Sequence, residues 1–367
     1  MNGGAAAIEI RFFTAEDIPA VSTLHRATFG ISSTVVSDVA YRDWLTATFL
    51  APPVRLDGIA SLVAAVDGLV VGFLGVVPRR LLLDDVEYRA SVCSNFCVSP
   101  QARGGIGTRL LERWAAFPHD VAFVDEVGQR AQRLFRRCGW TVSPLQSVRW
   151  SLPLRPMSYA LARGGTGLPG FARRIANTIA TGLDSILVRL PRSPFRRRGS
   201  GLRAEPMSAD ALARLIREFP APGWLRPVTT DGSTAWLVDR ATSMTARGPL
   251  HLLAARTSAG EIGGWFVYYA PRSAHGEVLQ LVAHEAYAVD IFDTLVNHAS
   301  ENGVVSLSGT LHPRLFIPLG ARWTVFHAET GARWMLVRSP HAPILDAFHR
   351  GHLLLSRLDG EWSQHLR

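Results

Sequence analysis

Apolar and polar residues along the first 155 positions fall into blocks that predict an ordered series of strands and helices. Strands are expected near Glu9 to Phe12, Ser61 to Asp67, Val70 to Leu83, Val86 to Val98 and Val121 to Val124, with a final hairpin over Val142 to Pro153. Helices are expected over Ile18 to Phe29, Gly107 to Ala116 and Gln129 to Arg137. Before the first helix, Thr14-Ala15-Glu16-Asp17 carries a start signal: the threonine oxygen can accept from free backbone N–H groups, and the acid three residues on completes a capping box. Such an order of mixed elements implies an α+β fold, a mixed and largely antiparallel twisted sheet flanked by helices.

The pattern repeats. Ile10-Arg11 leading to Thr14-Ala15-Glu16-Asp17 returns as Leu202-Arg203 leading to Met207-Ser208-Ala209-Asp210, and Asp67 to Phe73 returns as Ala259 to Trp265, both at an offset of 192 residues. Leu134-Phe135 with Gly139 returns as Leu315-Phe316 with Gly320, at an offset of 181. Their shared order predicts a duplication: a first domain over 1–155, a linker over 156–201 and a second domain over 202–367. A chain of 367 residues is long enough for two cores.

The linker is rich in Gly, Pro and Arg with one acid, Asp184. Within it Ile175, Ile179, Leu183, Ile186, Leu187 and Leu190 recur at helical spacing, flanked by Arg173, Arg174, Arg189 and Arg192. The stripe is expected first to pack on the protein's own domains. The second reading lays residues 171–198 on an anionic membrane surface.

The strongest local signal is Cys97-Val98-Ser99-Pro100-Gln101-Ala102-Arg103-Gly104-Gly105-Ile106-Gly107-Thr108, where a strand ends, three glycines follow within four positions and an amphipathic helix begins. Glycine lets the backbone approach a ligand closely. Successive N–H groups at a helix start form an anion site. A dinucleotide fold also uses such a loop, but after the first strand of a parallel series, whereas this one comes after about 100 residues and a long hairpin.

These residues resemble the GNAT acyltransferase superfamily. Val98-Ser99-Pro100, then Arg103-Gly104-Gly105-Ile106-Gly107, then Phe135 four residues before Gly139-Trp140 stand in the family's order, and the resemblance spans about residues 8 to 155. It implies acetyl-CoA or another acyl-CoA as co-substrate and no metal. By the resemblance the loop N–H groups from Gly104 to Thr108, with Arg103, hold the pyrophosphate, and the backbone of Phe96, Cys97 and Val98 holds the pantetheine arm. Two departures stand out. The loop is one residue short, which puts Ala102 in the arginine register, and Phe135 replaces a tyrosine that protonates the leaving thiolate in many members.

Acids at strand ends facing the cofactor strand, Asp125 and Glu126, and Glu87 on the hairpin are candidates for a general base, although a solvated role is the first expectation for each; Asn95 and Ser94 either orient substrate or satisfy backbone groups in the strand. In the second copy, Leu281 to Asp290 contains no glycine and should not hold a pyrophosphate. His284, Glu285 and His312 lack a recognised ligand spacing, and Trp224, Trp236, Trp265, Tyr268, Tyr269 and Trp323 are expected in the core.

The chain's 47% hydrophobic and 19% charged residues suit a packed globular protein. Its net charge of +9 is mostly arginine, and nucleic acid is not the expected partner. Cys93, Cys97 and Cys138 are expected to be free thiols rather than a disulfide or zinc set. Without an apolar run long enough to span a bilayer or a leader-like start, a cytoplasmic protein is expected, with membrane-peripheral contact through the linker as the variant. The expected activity is transfer of an acyl group, most simply acetyl, from acyl-CoA to an amine or hydroxyl of a small-molecule or envelope-sugar acceptor. A CoA-binding scaffold or sensor without turnover is the alternative.

Overall fold

A computed structural model describes residues 8–33, 36–102, 104–164, 169–191, 193–327 and 334–366. The strands are β1 (Ile8–Phe12), β2 (Leu62–Val66), β3 (Leu69–Leu83), β4 (Val86–Val98), β5 (Val121–Val127), β6 (Thr141–Val142), β7 (Arg149–Pro153), β8 (Arg203–Pro206), β9 (Leu225–Pro227), β10 (Leu250–Arg256), β11 (Ile262–Tyr269), β12 (His275–Ala283), β13 (Ser306–Thr310), β14 (Val325–His327) and β15 (Trp334–Arg338). The helices are α1 (Ile18–Phe29), α2 (Asp38–Leu45), α3 (Ile106–Ala115), α4 (Gln129–Arg137), α5 (Pro144–Ser147), α6 (Pro156–Gly164), α7 (Gly170–Leu187), α8 (Ala209–Glu218), α9 (Ser233–Ser243), α10 (Ala288–Glu301), α11 (Phe316–Gly320) and α12 (Ala342–Arg350).

They form two compact units, each with its own mostly antiparallel sheet flanked by helices. The first draws on residues 1–144, 213–240 and 333–366, the second on 145–212 and 241–332. Sheet one runs β1-β2-β3-β4-β5-β15-β6, with β9 added to β3; sheet two runs β8-β10-β11-β12-β13-β7-β14. The expected hairpin over Val142 to Pro153 does not form. Its arms join different sheets: β6 pairs with β15 and β7 with β13. Nothing local could announce this, because β6 has only two residues and α5 separates it from β7.

Local chemistry explains the first sheet. Asp67 and Gly68 both take positive φ, 49° and 80°, which makes the tight turn that joins β2 to β3. At the start of α1, Asp17 accepts from the Thr14 N–H at 3.0 Å and from both arms of the Arg11 guanidinium at 2.6 Å, so the predicted cap is also an ion pair.

One face of sheet one carries a core in which Ile106, Leu110 and Trp114 of α3 and Phe135 of α4 meet Leu74, Val76, Ala122 and Val124. The opposite face carries two clusters. Phe13, Ile18, Val21, Tyr41 and Trp44 lie over Phe73, Val77 and Cys97; Ile344, Ala347 and Phe348 lie over Leu81, Val92, Phe123 and Val337. In unit two, Ile291, Phe292 and Leu295 of α10 pack on Trp150, Phe266 and Leu307. Trp265, Tyr268 and Tyr269 are fully buried, as expected of core residues, but Trp323 is 67% exposed. Cys93, Cys97 and Cys138 are free thiols. No helix among the described residues is long and apolar enough to cross a membrane.

The linker departs from its first reading. Phe171, Ile175, Ile179, Leu183, Ile186 and Leu190 are all exposed and only Leu187 of the stripe is half-buried, so most of the stripe does not pack on unit two. The face of α7 that does turn inward carries Ala180 and Asp184.

Candidate functional site in the first unit

Strands β4 and β5 run parallel and pair at only three positions, Ala90 with Val121, Ser91 with Ala122 and Val92 with Phe123. Both continue past that point, β4 to Val98 and β5 to Val127, so the pair parts like a V. Beyond the last paired residue, β4 turns its Cys93 to Val98 stretch toward β3 alone. That stretch bulges, since Phe73 faces Cys97 and Gly75 faces Ser94, leaving Leu74 opposite both Asn95 and Phe96. Asn95 absorbs the kink with a φ of 53°, a left-handed conformation that asparagine tolerates better than most residues.

Past Val98 the chain makes a short helical turn, Pro100–Ala102, and then the glycine loop. Gly105 caps α3 with a φ of 91°, and a side chain there or at Gly104 would meet nothing within 4 Å. The loop tip is therefore bare. Gly107 differs, because a Cβ would lie 3.2 Å from Leu134 of α4 and 3.3 Å from Phe96 of β4, so this glycine serves close packing of α3 on both. The first bond of α3 runs from the Arg109 N–H to the Gly105 carbonyl at 3.1 Å. The N–H groups of Ile106, Gly107 and Thr108 thus have no acceptor within the helix and point from its positive end. Arg103 lies outside the described residues.

On the face opposite α3, side chains two apart share a side of the strand. Arg79 therefore falls between Val77 and Leu81, Ser94 comes after Val92, and Asp125 after Phe123. This places a polar strip between the two apolar clusters, and the C-terminal segment after α12 lies in it. Glu361 spans the parted strands: its N–H donates to Asp125 Oδ1 at 2.6 Å, and its Oε1 accepts from the Asn95 N–H at 3.3 Å. The Asn95 amide donates to Ser94 Oγ at 2.8 Å and to the Gln364 carbonyl at 3.3 Å. Arg357 pairs with Glu126 at 2.5 Å, both side chains largely buried.

Behind Asn95 sits His25 of α1. The Asn95 Oδ1 can only accept, so His25 Nε2 donates to it at 2.9 Å, and Nδ1 then accepts from the Tyr41 hydroxyl. Burial pushes His25 down to about 4, so the imidazole is neutral near pH 7. Burial, and next the charge of Glu126, lift Asp125 to about 7, and burial also raises Asp359. Arg79, 3% exposed, lies 5.2 Å from the Trp236 ring in the field of Asp359 and Asp231. Its guanidinium nitrogens have no hydrogen-bond partner among the described residues.

The expected residues are therefore gathered unevenly. Asn95 and Asp125 meet at the parted strands, with Phe96, Cys97 and Val98 on the same stretch of β4 and Gly104 to Thr108 at its end. Asp125 is half-buried and accepts from the Glu361 N–H, and Glu126 is held by Arg357. Glu87 stays on the exposed hairpin, 3.6 Å from Arg80. Phe135 is 1% exposed among Phe96, Trp114 and Trp140 and has no hydroxyl to offer. Cys97 is pushed up to about 12 by burial, which leaves it a neutral thiol. His25, Tyr41, Arg79 and the whole Arg357 to Gln364 segment carry no signal in the sequence that marks them for this site. Among the described residues, no group of three or more His, Cys, Asp or Glu side chains could hold a metal ion.

A parallel pair that parts beside a bare, glycine-capped helix start defines a GNAT-type fold. Residues 57–142 match the family model described as an acetyltransferase (GNAT) domain, and the chain carries a domain of that superfamily. No curated protein matches the sequence. Solved structures share the fold at low identity. A GCN5-related N-acetyltransferase from Anabaena variabilis ATCC 29413 aligns with a TM-score of 0.60 at 13% identity, over 93% of this chain and 75% of its own. A conserved protein of unknown function from Enterococcus faecalis V583, titled a probable N-acyltransferase, aligns with a TM-score of 0.56 at 12% identity, over 91% and 73%. A GCN5-related N-acetyltransferase from Kribbella flavida aligns with a TM-score of 0.55 at 14%, over 92% and 72%.

Proposed function

We propose that this protein transfers an acyl group, most simply acetyl, from acyl-CoA to an amine or hydroxyl of a small-molecule acceptor, using unit one. The observation that carries the proposal is the early end of β4–β5 pairing at Val92 and Phe123 while both strands run on. Past Val92 the backbone of β4 has no strand partner on the β5 side, where Glu361 holds the Asn95 N–H, and a pantetheine arm with its two amides can pair with β4 in place of the missing strand. The glycine loop then receives the pyrophosphate on the N–H groups of Ile106, Gly107 and Thr108, with Arg103 as the expected cation.

Placed this way, the thioester reaches the bulge. The Asn95 N–H, which donates to the Glu361 carboxylate, is aimed where a tetrahedral oxyanion can take over that bond. Asp125 is the proposed general base. A carboxyl held near 7 is a stronger base than a solvated one yet still ionises in neutral solution. The His25 imidazole, fixed by Tyr41, holds Asn95 in its kinked conformation and acts as a positioning residue. The departing thiolate would take its proton from water, because Phe135 has none. Among the described residues of unit two none matches the bare loop, and we propose that its sheet is a degenerate second copy that completes the protein without binding CoA.

Phe135 also favours a second reading, a CoA-binding protein without turnover. Titration calorimetry with acetyl-CoA, then free-thiol release over a panel of amines, separates the two. Binding with acceptor-dependent thiol release supports transfer; binding without release from any acceptor leaves the sensor; absence of binding at high micromolar cofactor refutes both.

A further inference from the structure

Helix α7 presents an apolar face to solvent that nothing in unit two covers. Phe171, Ile175, Ile179, Leu183 and Ile186 succeed one another at intervals of three or four residues, Leu190 extends the line past the helix end, and all six are between 46% and 72% exposed. At about 1.5 Å per residue the helix is roughly 27 Å long. An exposed apolar stripe of that length marks an interaction surface.

The charge around it selects the partner. Residues 154–203 contain ten arginines and one acid, Asp184. That acid is withdrawn from the surface: it accepts from the Met157 N–H at 2.8 Å, the Ser158 N–H at 3.0 Å and the Ser158 hydroxyl at 2.6 Å, capping α6 from below. The charged groups left exposed along this segment, among them Arg174, Arg189 and Arg196, are all positive. Guanidinium groups stay charged at any physiological pH.

We propose that α7 lies flat on an anionic lipid surface, with its apolar stripe among the acyl chains and its arginines on the headgroups. A second copy of the chain is a poor occupant, because two such helices would bring arginine against arginine while their own single acid, Asp184, is buried. A nucleic acid would use the arginines and leave the stripe in water. The helix is not long and apolar enough to cross a membrane.

The test is flotation of the full chain with phosphatidylcholine vesicles, with and without phosphatidylglycerol. The wild type should float only with phosphatidylglycerol present and should release as salt is raised. Ile175→Gln with Ile179→Gln should cut the bound fraction about tenfold at unchanged melting temperature. Arg174→Gln with Arg189→Gln should weaken binding by a smaller factor, on anionic vesicles only. Failure of the wild type to float with either vesicle, or full binding by the isoleucine variant, overturns the proposal. So does a dimer in solution that the isoleucine variant dissociates.

Discussion

Position for position the two sheets are built alike: β1 corresponds to β8, β2 to β10, β3 to β11, β4 to β12, β5 to β13, β15 to β7 and β6 to β14. In both, the central parallel pair bonds at three residues before the longer strand runs on, from Val92 to Val98 in one and from Glu277 to Ala283 in the other. The segments after those strands differ. After β4 comes a loop whose cap, Gly105, is bare and left-handed. After β12 the corresponding cap is Tyr287, at a φ of −112°. Its ring packs on the core, and its hydroxyl donates to Glu261 at 3.4 Å. Two sheets of the same strand order thus differ at one helix start, where glycine leaves the backbone bare and tyrosine covers it.

Two changes test that contrast hardest. Replacing the proposed base, Asp125→Asn, should lower kcat about a thousandfold while acetyl-CoA affinity holds, because the amide keeps the Glu361 contact but takes no proton. The pH profile of the wild type should rise through about 7, as Asp125 loses its proton. Stability runs the other way. An acid raised from 3.8 binds more protons folded than unfolded between about 4 and 7, so its contribution is present below that window and lost as pH rises through it. Asp125→Asn should therefore melt higher than wild type at pH 8, a gain that a merely damaged variant would not show. Second, Gly104→Asp should weaken acetyl-CoA binding about a hundredfold by setting a carboxylate against the pyrophosphate. Space is free there, so melting should not change, and Ala286→Asp in the other unit should leave affinity alone. Equal losses from both would dissolve the contrast.

The first sheet was readable because its signals are local. Asp67-Gly68 turns, Thr14 caps and the glycines before α3 each act within a few residues, and the predicted strands and helices from Ile8 to Arg137 formed with small shifts at their ends. The exchange of β7 and β15 between sheets was not readable, since a five-residue strand carries no mark of which sheet it joins. The site was half legible for the same reason. Asn95 and the loop belong to one continuous stretch, but Glu361 meets Asp125 across 236 residues and His25 meets Asn95 across 70. No spacing rule links such partners. The Glu361 N–H that Asp125 accepts from lies at the far end of the chain, so no local pattern around Asp125 announces it.

A moderate effect is expected at Phe135. Tyrosine there would put a hydroxyl into a shell of Phe96, Trp114 and Trp140, and an unsatisfied buried hydroxyl costs about 1–3 kcal/mol. Phe135→Tyr should lower the melting temperature and leave kcat unchanged. A rise in kcat would mean that the ring edge reaches the thiolate position and that unit one has lost an acid it can still use.

The smallest effect should come from Glu361→Gln. The bond from its N–H to Asp125 is a backbone contact and survives; only the acceptance of the Asn95 N–H changes, from a carboxylate oxygen to an amide oxygen. Exchange of a charge-assisted bond for a neutral one costs about 1 kcal/mol, since both acceptors satisfy the donor. If the carboxylate occupies the oxyanion position in the absence of thioester, it competes with substrate, and the weaker acceptor should lower KM for acetyl-CoA a few-fold with kcat held. A fall in kcat at unchanged KM would instead place Glu361 in the proton transfer beside Asp125. Either outcome is read from one saturation curve at pH 8, where Asp125 is ionised in both proteins.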